Sequence, residues 1–162
     1  MNEALLEQAA KQLSQILSAR GERLATVESC TGGWVAKLLT DLPGSSAVLE
    51  GGFVTYSNQA KQRMVGVSVD TLARYGAVSE QTAAEMAQGA LIHSEAEFAL
   101  SITGVAGPDG GSEEKPVGMV CFGWANREGL LNTETCNFSG DRQSIRAQSV
   151  LHALQGVESR LG

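Results

Sequence analysis

The chain has 162 residues, 43% hydrophobic and 19% charged, which suits one domain that buries a core without metal or disulfide staples. Glycine is abundant (19 residues), proline scarce (3) and aromatics only 5%, which excludes a collagen, a disordered tail and a disulfide scaffold. A net charge of −6 with scattered Lys and Arg argues against nucleic-acid binding, and three cysteines without CxxC or Cys/His spacing argue for free thiols in a reducing cytoplasm and no metal site.

The N-terminus reads as an amphipathic helix and not as a signal peptide. Leu6, Ala9, Ala10, Leu13, Ile16 and Leu17 recur at helical spacing, and Gly21 stops the pattern. No apolar run approaches the roughly 20 residues that span a bilayer, so a cytoplasmic protein with no membrane partner is expected. A strand-type run, Leu24–Val27, ends at Glu28-Ser29-Cys30-Thr31-Gly32-Gly33. A second helix carries Trp34, Val35, Leu38 and Leu39 and ends at Pro43-Gly44. A β-rich run covers about 48–56. Ser57-Asn58 then opens a short helix through Met64. Asp70 is expected to cap another short helix ending near Gly76, and Ser79 a longer one with Ala83, Met86, Ala87, Ala90 and Leu91 on one face.

Phe98–Ile102 reads as a buried strand running into the glycine-rich loop Thr103–Gly111. The segment Ser112–Lys115 reads as solvated and mobile. Two strands, about 117–126 and 130–138, are joined by a turn at Glu128-Gly129. A final helix has Ala147, Val150, Leu151, Leu154, Val157 and Leu161 on one stripe. No repeat, linker or low-complexity block divides the chain. Residues 1–162 are therefore expected to form a single α/β domain, a mixed β-sheet packed between α-helices.

Four places can carry chemistry. At Glu28–Gly33 a strand enters a helix, whose first N–H groups lack intrahelical partners. Such a site holds a phosphate or stabilises an oxyanion, and a hydroxyl there can be a nucleophile; equally, Ser29 or Thr31 can simply cap the helix. At Tyr56–Lys61, with Ser57 or Asn58 as cap, Lys61 sits against the positive end of the helix dipole. That favours its neutral amine and suits a general base; the plain alternative is a solvated surface lysine. The loop from Thr103 offers backbone donors but matches neither a P-loop nor GxGxxG. At Ser139-Gly140-Asp141-Arg142, Ser139 or Asp141 can cap the last helix, and Arg142 can meet an anion or pair with Asp141. Cys30 is a competing nucleophile, since a thiol at a helix N-terminus has a lowered pKa. His93 and His152 lie in helical patterns, away in sequence from ligand-spaced acids or cysteines, and read as structural.

Taken in order, Glu28–Gly33, Gly52–Asn58 with Lys61, Gly76–Ser79, Thr103–Gly111, Lys115–Gly118 and Ser139–Arg142 resemble the CinA C-terminal-domain family over nearly the whole chain. The resemblance implies an amidohydrolase that converts nicotinamide mononucleotide to nicotinate mononucleotide and ammonia for pyridine-nucleotide recycling. It needs neither metal nor cofactor. Ser29 is then the nucleophile, Lys61 its base and Tyr56 an orienting or relaying partner. Thr31, Gly32 and Gly33 become oxyanion donors, and Asn58, Thr103, Gly104 and Arg142 substrate contacts. The resemblance also implies a homo-oligomer, with a dimer expected. The alternative is a non-catalytic nucleotide-binding regulatory module, which the same helix ends and glycine loop would serve.

Overall fold

The computed structural model describes residues 2–162. Six helices surround a five-stranded sheet. In chain order they are α1 (Glu3–Arg20), β1 (Leu24–Glu28), α2 (Trp34–Thr40), β2 (Leu49–Val54), α3 (Asn58–Val65), α4 (Val69–Tyr75), α5 (Glu80–Ile92), β3 (Phe98–Gly104), β4 (Met119–Asn126), β5 (Leu131–Asn137) and α6 (Arg142–Arg160). A single 3-10 turn, Ser45–Ala47, precedes β2.

The strand order is β2-β1-β3-β4-β5. β1 pairs in parallel with β2 and β3, while β4 and β5 are added antiparallel. β1 and β3 are buried along almost their whole length, as central parallel strands covered on both faces must be. One apolar core joins the sheet to α1, α2 and α6, with Leu13, Leu17, Val35, Leu39, Val150 and Leu154 at its heart. A second core lies on the opposite face, where Val65, Met86, Ala87 and Ala90 of α3 and α5 pack on Ala25, Val27 and Ala99. The expected mixed sheet between helices is the observed fold.

Trp124 is fully buried and donates its indole N–H to Ala153 O at 3.1 Å. α6 can lie against the ring because residue 156 is glycine; a Cβ there would stand 2.2 Å from a ring carbon.

Helix capping departs from the sequence reading in two places. Neither Ser29 nor Thr31 caps α2, whose N-cap is Gly33 in the left-handed region and without a side-chain bond. Ser68, and not Asp70, caps α4, with Asp70 in its first turn. Asp141 caps α6, Ser57 caps α3 and Ser79 caps α5. Residues 112–114 are exposed, as the sequence reading expects, and the segment is drawn into a turn. Ser112 N donates to Lys115 O at 2.9 Å, Lys115 N to Ser112 Oγ at 3.0 Å, and Lys115 Nζ to Tyr75 O.

The connection out of β1 runs through α2 to β2 on one side, whereas β3 lies on β1's other side. Chain connections therefore diverge around β1. In open α/β sheets the crevice outside the carboxyl end of such a strand is where ligands bind, and Ser29 is the first residue beyond β1.

Candidate active site

A cavity of about 300 Å³ opens at the carboxyl ends of β1, β2 and β3. Ser29 and Cys30 enter it from β1, Tyr56, Asn58 and Lys61 from the β2–α3 connection, Thr103–Gly107 from the end of β3, and Arg142 from the start of α6. These groups lie up to 113 residues apart in sequence, Ser29 to Arg142, and meet because parallel strands align their carboxyl ends.

Ser29 and Lys61 are in contact: Nζ lies 3.1 Å from Oγ. Lys61 is only 1% exposed and Ser29 7%. The amine donates to Thr55 O at 2.9 Å and more weakly to Tyr56 O at 3.5 Å. Among the described residues Lys61 belongs to no ion pair. Burial therefore pushes its pKa down, because no buried carboxylate offsets the cost of its charge. Its place in the first turns of α3, capped by Ser57, works in the same direction. A neutral amine has two N–H donors and one lone pair. When Lys61 is neutral, Thr55 O and the more distant Tyr56 O can take its two donors, which leaves the lone pair for the Ser29 hydroxyl proton.

The thiol of Cys30 is unsuited to the nucleophile's part. It lies outside the helix, since α2 begins at Trp34, and burial pushes it up to about 12.

Thr31, Gly32 and Gly33 do not line the cavity. Thr31 Oγ1 donates to Glu28 Oε1 at 2.7 Å, and Gly32 N–H to Ser29 O at 3.0 Å. They shape the turn behind the nucleophile, where Gly32 (φ 61°) and Gly33 (φ 101°) take conformations closed to most side chains. Tyr56 is placed differently from expectation too. Its backbone carbonyl faces Lys61, but its phenol ring is 62% exposed and its hydroxyl stands 3.4 Å from Arg142. The phenol makes no hydrogen bond to the side chain of Ser29 or Lys61 among the described residues, although Tyr56 lines the same cavity as both. Thr103 donates its hydroxyl to Ala77 O at 2.8 Å, so it holds the cavity wall. Gly104 and Asn58 border the cavity, as does Arg142, which donates to Gly107 O at 2.8 Å.

Two residues that sequence reasoning gave no role hold the turn after Ser29. Glu28 is 1% exposed, and its carboxylate accepts from Thr31 Oγ1, from Val35 N at 2.9 Å and from Ala36 N at 3.2 Å. It does the work of the missing helix cap by accepting from N–H groups of the first turn of α2. Burial raises its pKa, and these hydrogen bonds oppose that rise. Arg146, one turn along α6 from Arg142, donates to Cys30 O at 3.0 Å and Thr31 O at 3.2 Å and lies over the Trp34 ring. A carboxylate immediately before a Ser-x-Thr-Gly-Gly turn was a readable signal for Glu28; Arg146 carried none.

A serine hydroxyl against a buried, unpaired lysine at the strand ends of an α/β sheet has the arrangement of a serine–lysine hydrolase. The chain belongs to the family described as CinA C-terminal domain, which matches residues 6–161. It is 56% identical over 155 residues to nicotinamide-nucleotide amidohydrolase PncC of Escherichia coli K12, covering 96% of this chain and 94% of that protein. It is 48% identical to the CinA-like protein of Akkermansia muciniphila over 87% of this chain but only 34% of that longer protein. Its fold superposes on the crystal structure of competence/damage inducible protein CihA from Agrobacterium tumefaciens with a TM-score of 0.94 and 44% identity, covering 96% and 94% of the two chains. Among the described residues, no helix is long and apolar enough to cross a membrane.

Proposed function

We propose that this chain hydrolyses the carboxamide of nicotinamide mononucleotide, releasing ammonia and nicotinate mononucleotide, and so returns pyridine nucleotide for reuse. The observation that carries the mechanism is the 3.1 Å contact between Ser29 Oγ and a lysine amine with no ion-pair partner, inside a cavity. The 56% identity to a protein named as an amidohydrolase of nicotinamide nucleotides supports the substrate.

Ser29 Oγ attacks the amide carbon as its proton passes to Lys61 Nζ. The tetrahedral intermediate places negative charge on the former carbonyl oxygen. The backbone N–H of Cys30, the residue following the nucleophile and itself at the cavity wall, is the donor that this geometry favours for it. Protonated Lys61 then gives its proton to the departing nitrogen, which leaves as ammonia, and an acyl-enzyme remains on Ser29. A water molecule deprotonated by Lys61 attacks the acyl carbon, and the Ser29–carbonyl bond breaks with return of the proton to Ser29.

Arg142, at the cavity mouth, takes the substrate phosphate, with the Thr103–Gly107 backbone beside it. Arg142→Ala should lower kcat/KM for the mononucleotide about 10–100-fold, the worth of a hydrogen bond to a charged group. The loss should lie mainly in KM with kcat little changed, as for a contact made equally in ground and transition state; an unchanged kcat/KM would move the phosphate elsewhere. Arg146 touches no substrate in this reading and acts through the turn it grips. Arg146→Ala should lower kcat by about 10²-fold, the cost of misplacing a reacting group by about 1 Å, with a smaller change in KM. Arg146→Lys, which cannot fork to two carbonyls, should restore only part of it.

The deciding experiment is ammonia release from nicotinamide mononucleotide, the riboside, NAD and glutamine. Cleavage of the first alone is expected. Tight mononucleotide binding with no product over many hours would establish the non-catalytic nucleotide-binding module instead. We carry forward the cytoplasm as the place of action on the free thiols, and a homodimer as the assembly on the family resemblance, with sedimentation as the check on the second.

A further inference from the structure

Away from the cavity, β5 and α6 bring together three side chains, His152 lying 16 and 18 residues in sequence from the other two. Glu134 and Cys136 stand two positions apart on β5, so the pleat turns them to one face, and His152 of α6 meets both. His152 Nε2 lies 2.9 Å from Glu134 Oε1 and 3.5 Å from Cys136 Sγ, and all three donor atoms fall within 4.8 Å of one another.

These separations resemble the edges of a tetrahedral coordination shell. Bonds to zinc of about 2.3 Å from sulfur, 2.05 Å from imidazole and 2.1 Å from carboxylate set S and N about 3.6 Å apart, and N and O about 3.4 Å apart. The sulfur–nitrogen pair already stands at that spacing, and the nitrogen–oxygen pair needs to open by about half an ångström. The carboxylate is also aimed. Arg160 holds Glu134 Oε2 at 2.7 Å while its guanidinium lies 3.9 Å over Trp124, which leaves Oε1 directed at His152. Such an outer partner is the usual support of a ligating carboxylate. The His152 ring packs beside Phe122, Trp124 and Phe138, with centroids 4.6, 5.9 and 6.3 Å away, which holds the imidazole in place while its edge stays open to solvent for an entering ion. The positive charge of Arg160 opposes a cation here; the thiolate formed on binding offsets it.

We propose that Glu134, Cys136 and His152 form a site for a divalent transition metal of zinc's character, with water as the fourth ligand, that staples α6 to the edge strand β5. On binding, the Cys136 thiol releases its proton to solvent as the metal–sulfur bond forms. The sequence concealed the site because His152 comes from a helix and the other two from a strand, so no ligand-spacing motif exists. Cys121 cannot substitute for Cys136: it pairs with Thr135 on the sheet's other face.

The test is titration of the untagged, reduced chain with Co²⁺, read by thiolate-to-cobalt charge-transfer absorption. A band is expected that Zn²⁺ displaces, that Cys136→Ser and His152→Gln abolish, and that Cys121→Ser retains. At about a hundredfold excess over its dissociation constant, Zn²⁺ should raise Tm by roughly 5 °C or more in the unsubstituted chain and not in Cys136→Ser. Metal-free melting of each variant shows that it is folded. No band in the folded chain, or a band that survives Cys136→Ser, overturns the proposal and leaves the cluster as an ion-paired brace. Neither readout depends on amide hydrolysis, so this result and the functional assignment stand or fall separately.

Discussion

Lys61→Met should lower kcat by about 10²–10⁴-fold, the range that a positioned general base contributes, while the chain stays folded. Methionine fills much of the same channel without a group that must remain uncharged or find acceptors. The stability effect has a sign fixed by linkage. Burial depresses the Lys61 pKa in the folded state relative to the ordinary 10.5. Between the depressed value and 10.5 the unfolded chain binds more protons than the folded one, so stability rises with pH across that window. Below the depressed value both states carry the charge, and the penalty is fully present. In Lys61→Met that part of the pH dependence should vanish, and the variant should be relatively most stabilised at lower pH. Activity has the matching profile: kcat/KM should rise with pH through the depressed lysine pKa. Denaturant melts at several pH values, alongside ammonia-release rates, check both halves. A variant that keeps near-parent turnover would remove Lys61 from the proton path.

Ser29→Ala should be the more severe lesion, with kcat falling by about 10⁴-fold or more, as when the nucleophile is removed from an acyl-transfer enzyme. Binding of the mononucleotide should persist, because Arg142 and the backbone of the Thr103–Gly107 loop remain in place. Stability should change little, since the serine hydroxyl is small and its partner retains two carbonyl acceptors. Cys30→Ala provides the contrast. Its thiol is held up to about 12 by burial and takes no part in attack, so most activity should survive. The outcome that reverses this assignment is loss in Cys30→Ala with retention in Ser29→Ala. The double variant Ser29→Ala/Lys61→Met should be scarcely worse than Ser29→Ala alone, because residues that act as one unit give non-additive losses.

The elements themselves were largely legible. Apolar periodicity marked α1, α5 and α6, and the strand-to-turn passages at Glu28, Tyr56 and Thr103 each proved to be a carboxyl end of a parallel strand. Capping was less legible where a distant or unusual group took over. Ser29 and Thr31 read as caps for α2 by residue type, yet Glu28 receives the N–H groups of Val35 and Ala36. A carboxylate reaching forward over seven residues is invisible to rules built on neighbours. The solvated-lysine alternative for Lys61 fell for a reason no local pattern contains: the β1 and β2 ends enclose the amine to 1% exposure.

Composition, period and local turn chemistry determined, from the sequence alone, an α/β domain and the residue types gathered at its strand ends, because these depend on interactions within a few residues. Tertiary structure alone decided that Ser29 and Lys61 touch, that Thr31 to Gly33 turn away from the cavity, and that Tyr56 presents its carbonyl to one partner and its phenol to another. It alone also brought Arg146 onto the nucleophile turn. Parallel pairing places strand ends side by side whatever the chain length between them. Reactivity then follows from distance and desolvation, which belong to the assembled sheet and not to any segment of it.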